Sequence, residues 1–238
     1  MPAPSDPSDP ADGELAGSVT VLAAASLTEV FDDLAASFEA EHPGVDVVVS
    51  VGGSGALAEQ ILAGAPADVF AAANETAMAT VAEAGLAPEA TVFATNTLEL
   101  VVPAGNPGGV AGLADLGRPE LAIALCDETV PCGAASVELL ALAGVTAAPD
   151  TLETDVKAVL TKVLLGEADA GLVYRTDVRA ADAAVVGIEI AEASQVVNRY
   201  PIAALAEAPN PDAAQAFVAF VLSAAGRAAL AEAGFGVP

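Results

Sequence analysis

Residues 19–38, VTVLAAASLTEVFDDLAASF, join an apolar strand directly to an amphipathic helix, and this junction decides the fold class. The first six residues are almost continuously apolar, which is typical of a strand covered on both faces. The apolar residues that follow recur at helical spacing, at Leu27, Val30, Phe31, Leu34 and Phe38. A strand followed at once by a helix is the repeating unit of an α/β fold.

The same order continues along the rest of the chain. The sequence predicts strands at 19–24, 45–51, 68–73, 91–103, 121–126, 170–174, 185–191 and 196–205. It predicts further helices near 55–63, 75–84, 133–143, 155–166, 211–224 and 226–233. This alternation predicts an α/β fold in which mainly parallel sheets are flanked by helices.

Two extended runs, 91–103 and 196–205, are longer than the others and bracket the region that holds most of the basic residues. This pattern predicts two lobes joined by two crossover strands. We expect 18–96 and 200–238 to form one lobe, with 97–199 inserted as the second. Residues 1–17 are rich in Pro, Asp, Ser and Ala and offer little to bury, so they predict a disordered tether.

Charge excludes several classes of partner. The chain has 33 acidic and 7 basic residues, for a net charge of -26, which argues against nucleic acid and against an anionic membrane surface. An acidic, well-solvated surface accounts for this total. No apolar run reaches the roughly 18 residues that a membrane-spanning helix needs, so we expect a soluble protein.

Four strand-to-helix turns are candidate ligand positions, because open α/β sheets bind ligands beyond the carboxyl ends of their strands. Each helix start presents backbone N–H groups without intrahelical partners and the positive end of a helix dipole. The four turns read AAASLT, VGGSGALAEQ, CDETVPCGAAS and LETDVKAVL. If they converge, they form an anion site that needs no cationic side chain.

Each candidate side chain also has a simpler interpretation. Ser26 and Glu29 match the capping box S-x-x-E. Ser54 follows two glycines in a stretch that resembles the nucleophile elbow of serine hydrolases. The single histidine, His42, precedes Ser54 in a helix-ending turn, so we expect no enzyme and keep the hydrolase as the alternative from another class. The simpler interpretation of Tyr174 is an aromatic residue at the edge of the core with its hydroxyl in water, although it is one of only two tyrosines.

The two cysteines, Cys126 and Cys132, lie in CDETVPC. They form either a small-loop disulfide, which would place the protein outside the cytoplasm, or two unpaired thiols. Their spacing is not that of a zinc site, and one histidine supplies no second ligand pair.

Taken together, several motifs resemble the extracytoplasmic molybdate-binding proteins of ABC importers over about residues 18–238. The motifs are AAASLT, GSGALAEQILAGAPADVF, VPCG, GLVY and FVAFVLSAAGRAALAEAGF. The resemblance implies a type II periplasmic-binding-protein fold whose lobes close on molybdate, and also on tungstate, for delivery to a membrane permease. It also implies a monomer that is periplasmic or lipid-anchored, with the tether leading to an anchor or a removed signal segment.

By position, the resemblance assigns five residues to the oxyanion. Ser26 and Ser54 would give hydroxyl and backbone N–H contacts, Cys132 and Val156 a backbone N–H, and Tyr174 its hydroxyl. The metal would be held inside the oxyanion, so no cofactor and no direct protein–metal bond is expected.

The chemistry of the ligand agrees with such a site. Molybdate near neutral pH is a dianion with acceptors alone, whereas phosphate keeps a proton that an all-donor pocket leaves unpaired. Sulfate has the same charge but is smaller, so it is the alternative ligand that pocket size must exclude.

Overall fold

The computed structural model describes residues 14–238. Most of the predicted tether, residues 1–13, therefore lies outside the described residues. The last tether residue, Gly17, already belongs to the first strand and donates its N–H to the carbonyl of Gly44 at 2.9 Å.

The described residues form nine strands and eight α-helices. The strands are β1 (Gly17–Ala24), β2 (Val45–Gly52), β3 (Val69–Ala71), β4 (Thr91–Pro103), β5 (Ile123–Cys126), β6 (Thr151–Glu153), β7 (Ala170–Tyr174), β8 (Val185–Ile188) and β9 (Val197–Ala204). The helices are α1 (Thr28–Glu41), α2 (Ser54–Leu62), α3 (Glu75–Glu83), α4 (Pro131–Ala143), α5 (Val156–Leu164), α6 (Arg175–Ala181), α7 (Pro211–Leu222) and α8 (Ala224–Ala233). Short 3-10 turns lie at Ala25–Leu27, Leu113–Gly117, Asp182–Ala184 and Ala191–Gln195.

The strands follow the order β2-β1-β3-β9-β4-β7-β5-β6, with β8 paired to β4. The pairings of β1 with β2 and β3, and of β5 with β6 and β7, are parallel. All pairings of β4 and β9 are antiparallel. The predicted α/β class is therefore confirmed, and the central pair of strands makes the sheet mixed rather than uniformly parallel.

Strand β4 belongs to both ends of this sheet. Its first part, Thr91–Thr97, pairs with β9, and its second part, Leu98–Pro103, pairs with β7 and β8. The buried apolar residues divide at the same place. One core cluster draws on residues 98–196, whereas the other two draw on residues 19–94 and 200–235. We call these the 98–196 core and the terminal cores.

Two elements were not predicted. β6 has three residues, and its exposed Leu152 lies between two polar residues, so it lacks an apolar run. α6 spans seven residues directly after β7, too short to establish a helical period. Both are formed by tertiary context: β6 pairs with β5, and α6 packs against β4, β7 and β8.

Among residues 14–238, no single helix is long and apolar enough to cross a membrane; α7 and α8, bent by 60° at Ser223, reach that length and composition together. Their apolar residues pack into the terminal cores, where Phe217, Val221 and Leu230 are fully buried.

Cys126 and Cys132 form a disulfide between the end of β5 and the first turn of α4. Both cysteines are buried in the 98–196 core. This pairing agrees with one of the two alternatives that the spacing left open.

We expect the double variant Cys126→Ala/Cys132→Ala to lower the free energy of unfolding by about 2 kcal/mol, the loop-closure contribution for so short a loop. Chemical denaturation monitored by circular dichroism measures this change. The wild type under reducing conditions is the matched control and should unfold at the same denaturant concentration as the variant. Equal stability of the oxidised wild type and the variant would show that the bond contributes nothing.

Candidate functional site

The five predicted site residues line one small cavity between the two ends of the sheet. Its wall is formed by Ala24, Ala25, Ser26, Gly52, Gly53, Ser54, Ala73, Val130, Pro131, Cys132, Asp155, Val156 and Tyr174. The chain brings them together because they follow the carboxyl ends of parallel strands. The carboxyl ends of β1, β2 and β3 face the carboxyl ends of β5, β6 and β7 across the cavity.

Ser26 does not cap a helix, so the capping-box interpretation is wrong. It lies in the 3-10 turn that precedes α1, and the N-cap position of α1 is Leu27, which has no side-chain cap. The Ser26 hydroxyl instead lies 3.0 Å from the hydroxyl of Tyr200, and Glu29 turns away to an ion pair. Ser26 is 4% exposed to solvent, and it lines the cavity.

Ser54 is the first residue of α2 and is 1% exposed. Its Oγ accepts a hydrogen bond from the backbone N–H of Ala73 at 3.0 Å. This bond uses a lone pair and leaves the serine proton free. Ser54 makes no bond to a histidine, and His42 instead packs its ring on Phe38 at the far end of α1. The cavity wall therefore lacks the general base that a serine hydrolase requires.

Cys132 and Val156 contribute the starts of two further helices. Cys132 is the second residue of α4, after Pro131, and Val156 is the first residue of α5. N–H groups at these positions have no partner within their helices. The sulfur of Cys132 is committed to the disulfide, so the backbone is what this residue offers to a ligand.

Tyr174 ends β7 and is 1% exposed, yet among residues 14–238 its hydroxyl has no hydrogen-bond partner. Burial, with the neighbouring Tyr200 and Asp177, raises the pKa of this phenol well above its usual value. The hydroxyl therefore keeps its proton and can donate it. A buried donor without a protein acceptor indicates a ligand position, because leaving it unpaired costs free energy.

The cavity wall contains no lysine or arginine. Its one acidic residue, Asp155, accepts the N–H of Ala158 at 2.9 Å and so caps α5. The wall therefore combines neutral donors with helix N-termini. Such a surface binds an anion whose atoms all accept hydrogen bonds.

Comparison with known proteins agrees with this geometry. The family of bacterial extracellular solute-binding proteins matches residues 19–236. A relative named molybdate-binding protein, from Mycobacterium tuberculosis, is 44% identical over 235 residues, covering 98% of this chain and 89% of its own.

The chain belongs to the bacterial extracellular solute-binding proteins.

Solved structures extend the comparison. The substrate-binding domain of a molybdenum ABC transporter from Clostridium difficile is 28% identical with a TM-score of 0.70, covering 93% of this chain and 99% of its own. The periplasmic molybdate-binding protein of Azotobacter vinelandii has a TM-score of 0.79 at 21% identity and covers 92% and 99%, which shows the shared fold. Solute-binding proteins are transport components that bind a ligand without chemistry, so the chain is not an enzyme.

In this solute-binding protein, the two sides of the cavity touch at Gly53. A Cβ atom built on Gly53 would lie 2.6 Å from the carbonyl oxygen of Thr154, on the opposite side. The backbone of Gly53, with φ of -64° and ψ of 131°, is open to any residue. Gly53 is therefore needed for close approach across the cavity and not for its conformational freedom.

A second contact across the cavity is an ion pair. Lys157, on α5, lies 2.7 Å from a carboxylate oxygen of Glu29, on α1, and 3.0 Å from one of Asp177, on α6. Burial raises the pKa of Asp177 to about 6, opposed by Lys157. Burial lowers the pKa of Lys157, but Asp177 and Glu29 raise it overall, so the ammonium stays charged. Lys157 thus joins α1 to the 98–196 core beside Ser26 and Val156.

The sequence did not identify three residues that support the site. Tyr200 and Ala73 hold the two serines, and Asn198 donates to the carbonyl of Ala73 at 3.1 Å. They lie in or beside strands, where an apolar run gave no sign of a site. The one available signal was that Tyr200 is the second of only two tyrosines.

We expect Gly53→Ala to weaken ligand binding at least tenfold while the protein stays folded, because the added methyl group would meet the Thr154 carbonyl and hold the two sides apart. Titration calorimetry with molybdate measures the affinity. Gly55→Ala is the matched control, since its Cβ would meet nothing within 4 Å. Equal affinity of the Gly53 and Gly55 variants would contradict the close approach.

Replacing Glu29 by Gln should weaken binding up to about fivefold, since a partly exposed ion pair contributes about 1 kcal/mol at most. The effect should shrink as salt is added, because salt screens the pair. Asp32→Asn, on the same helix and exposed, removes the same charge without touching Lys157 and serves as control. If both variants change the dissociation rate of the ligand by the same factor, the Lys157–Glu29 ion pair does not hold the two sides of the cavity together.

Proposed function

We propose that this protein captures molybdate, and tungstate with it, between two lobes and delivers the anion to the membrane permease of an ABC importer. One observation carries the proposal: five residues from five separate chain segments converge on a cavity that offers neutral donors and no basic side chain. The names of the relatives from Mycobacterium tuberculosis and Azotobacter vinelandii support molybdate as the ligand.

The energetics of such a site are sufficient without a cation. Hydrogen bonds to a charged group contribute about 1.5–3 kcal/mol each. About six of them, before binding costs, support affinities from micromolar to nanomolar, or about 8 to 12 kcal/mol. The bound anion needs no cofactor and no direct bond from protein to metal. Discrimination against phosphate follows from the missing acceptor, and discrimination against sulfate from size.

The lobes are proposed to be 18–96 with 200–238, and 97–199. Support comes from the division of the apolar core and from the two strands that cross between the halves. The contacts of Gly53 and Lys157 then form when the lobes close, and the closed surface is what the permease would recognise. The proposal includes a monomer acting outside the cytoplasm, consistent with the disulfide and with the family's extracellular role.

The test is titration calorimetry of the ligand-free protein with molybdate, tungstate, sulfate and phosphate in turn. The proposal expects tight one-to-one binding of the first two and no heat from the others. Binding of sulfate alone would instead favour sulfate, the alternative ligand. Silence from all four anions would reject an oxyanion-binding function.

Tyr174→Phe should weaken molybdate binding roughly 10- to 150-fold, the loss of one hydrogen bond to a charged ligand. Its stability should rise slightly or stay unchanged, because the variant removes a buried hydroxyl that has no protein partner. Ser37→Ala, which removes an exposed hydroxyl on α1, is the control for binding. An unchanged affinity in the Tyr174 variant would mean that this phenol does not touch the anion.

A further inference from the structure

Both serines of the cavity already have a fixed partner behind them. The Oγ of Ser54 lies 3.0 Å from the backbone nitrogen of Ala73, and the Oγ of Ser26 lies 3.0 Å from the hydroxyl of Tyr200. All three side chains, those of Ser26, Ser54 and Tyr200, are buried. What each serine offers to a ligand therefore depends on the proton that its partner gives or takes.

For Ser54 the answer is fixed by the backbone. A peptide N–H can only donate, so Ser54 must accept from Ala73, and its single proton is free to point into the cavity. Ser54 is a donor toward any ligand that lies within its reach.

For Ser26 either hydroxyl could donate to the other. Tyr200 is fully buried, and burial raises the pKa of its phenol, so the proton stays on the oxygen. The Tyr200 hydroxyl lies 3.0 Å from that of Ser26, and the side chains of Asn96 and Tyr174 lie near the same oxygen. When Ser26 donates its proton to an anion, its oxygen accepts from Tyr200, and the buried phenol is satisfied by the same arrangement.

We propose that Tyr200 is a specificity-determining residue that does not touch the ligand. Its hydroxyl donates to Ser26 and holds Ser26 as a donor toward the cavity, so that anions carrying a proton are rejected. This inference rests on the proposed binding of an oxyanion and adds the residue that sets the polarity of the pocket.

The physical reason is the direction of the single Ser26 proton, which can point either to Tyr200 or into the cavity. A hydrogen phosphate needs an acceptor for its own proton. To face that proton with its lone pairs alone, Ser26 would have to donate its own proton to Tyr200, and the Tyr200 hydroxyl would then lose Ser26 as its acceptor. The cost falls on protonated anions and not on a dianion made of acceptors, so the same hydroxyl favours one class and penalises the other.

The ring of Tyr200 has a separate, structural role. It packs edge-to-face on Tyr174, Phe93 and Phe235, with ring centroids 6.0, 6.4 and 5.5 Å away. Phenylalanine keeps these ring contacts and removes the hydroxyl alone. The variant Tyr200→Phe thus separates the hydrogen bond from the packing.

The experiment compares wild type, Y200F, S26A and the double variant by calorimetry with molybdate, alone and with inorganic phosphate as competitor at neutral pH. We expect Y200F to weaken molybdate binding by roughly tenfold or less, the loss of one supporting hydrogen bond. We expect phosphate to compete in Y200F at concentrations where it has no effect on the wild type. The molybdate-to-phosphate affinity ratio of the double variant should equal that of S26A, because Tyr200 acts through Ser26.

Three results would overturn the proposal. One is a Y200F protein in which phosphate still fails to compete. Another is an equal loss for both anions, which a merely structural role would produce. The third is a double variant in which the Y200F and S26A changes in the molybdate-to-phosphate affinity ratio multiply. If Y200F does not fold, S26A decides: alanine supplies no acceptor for the phosphate proton, so phosphate must still fail to compete, and competition in S26A would overturn the proposal. A wild type that binds neither molybdate nor tungstate defeats the proposed function itself, whereas molybdate binding with an unchanged ratio in Y200F defeats this inference alone.

Discussion

The antiparallel pairing of β4 with β9 is the constraint on which the rest of the structure depends. β4 is hydrogen-bonded first to β9 and then to β7 and β8, so one strand belongs to both ends of the sheet. On either side of this pair, the parallel strands turn their carboxyl ends toward a common cavity. The helix starts that follow those strands are thereby aimed at one point, although they are far apart along the chain.

A site built in this way solves an electrostatic problem. The protein has a net charge of -26, and its cavity wall has no lysine or arginine, yet the wall suits an anion. Neutral donors, fixed in place before the ligand arrives, supply the attraction at short range without the desolvation cost of a buried cation. They also favour anions whose atoms all accept hydrogen bonds. Ser54 accepts a hydrogen bond from Ala73, and Ser26 is hydrogen-bonded to Tyr200, so both serine side chains are held in place before a ligand arrives.

Local chemistry predicted the helix starts that line the cavity, whereas the resemblance assigned the five ligand residues. A glycine pair precedes Ser54, Pro131 precedes Cys132, and Asp155 precedes Val156, and each of these signals marks the start of a helix. The exact role of Ser26 was not predictable from spacing. Ser26 and Glu29 match a capping box, but Glu29 pairs with Lys157, 128 residues away, and Ser26 meets Tyr200, 174 residues away. Long-range partners outcompeted the local motif.

The sequence by itself determined the α/β class and the order of its main strands and helices, with helix starts placed to within about two residues. These features follow from apolar periodicity and from local backbone preferences, which act over a few residues. The tertiary structure alone decided that β6 and α6 form, that Gly53 meets Thr154, and that Tyr200 stands behind Ser26. The physical reason is that each of these depends on groups brought together by folding, whose distances no local pattern in the chain specifies.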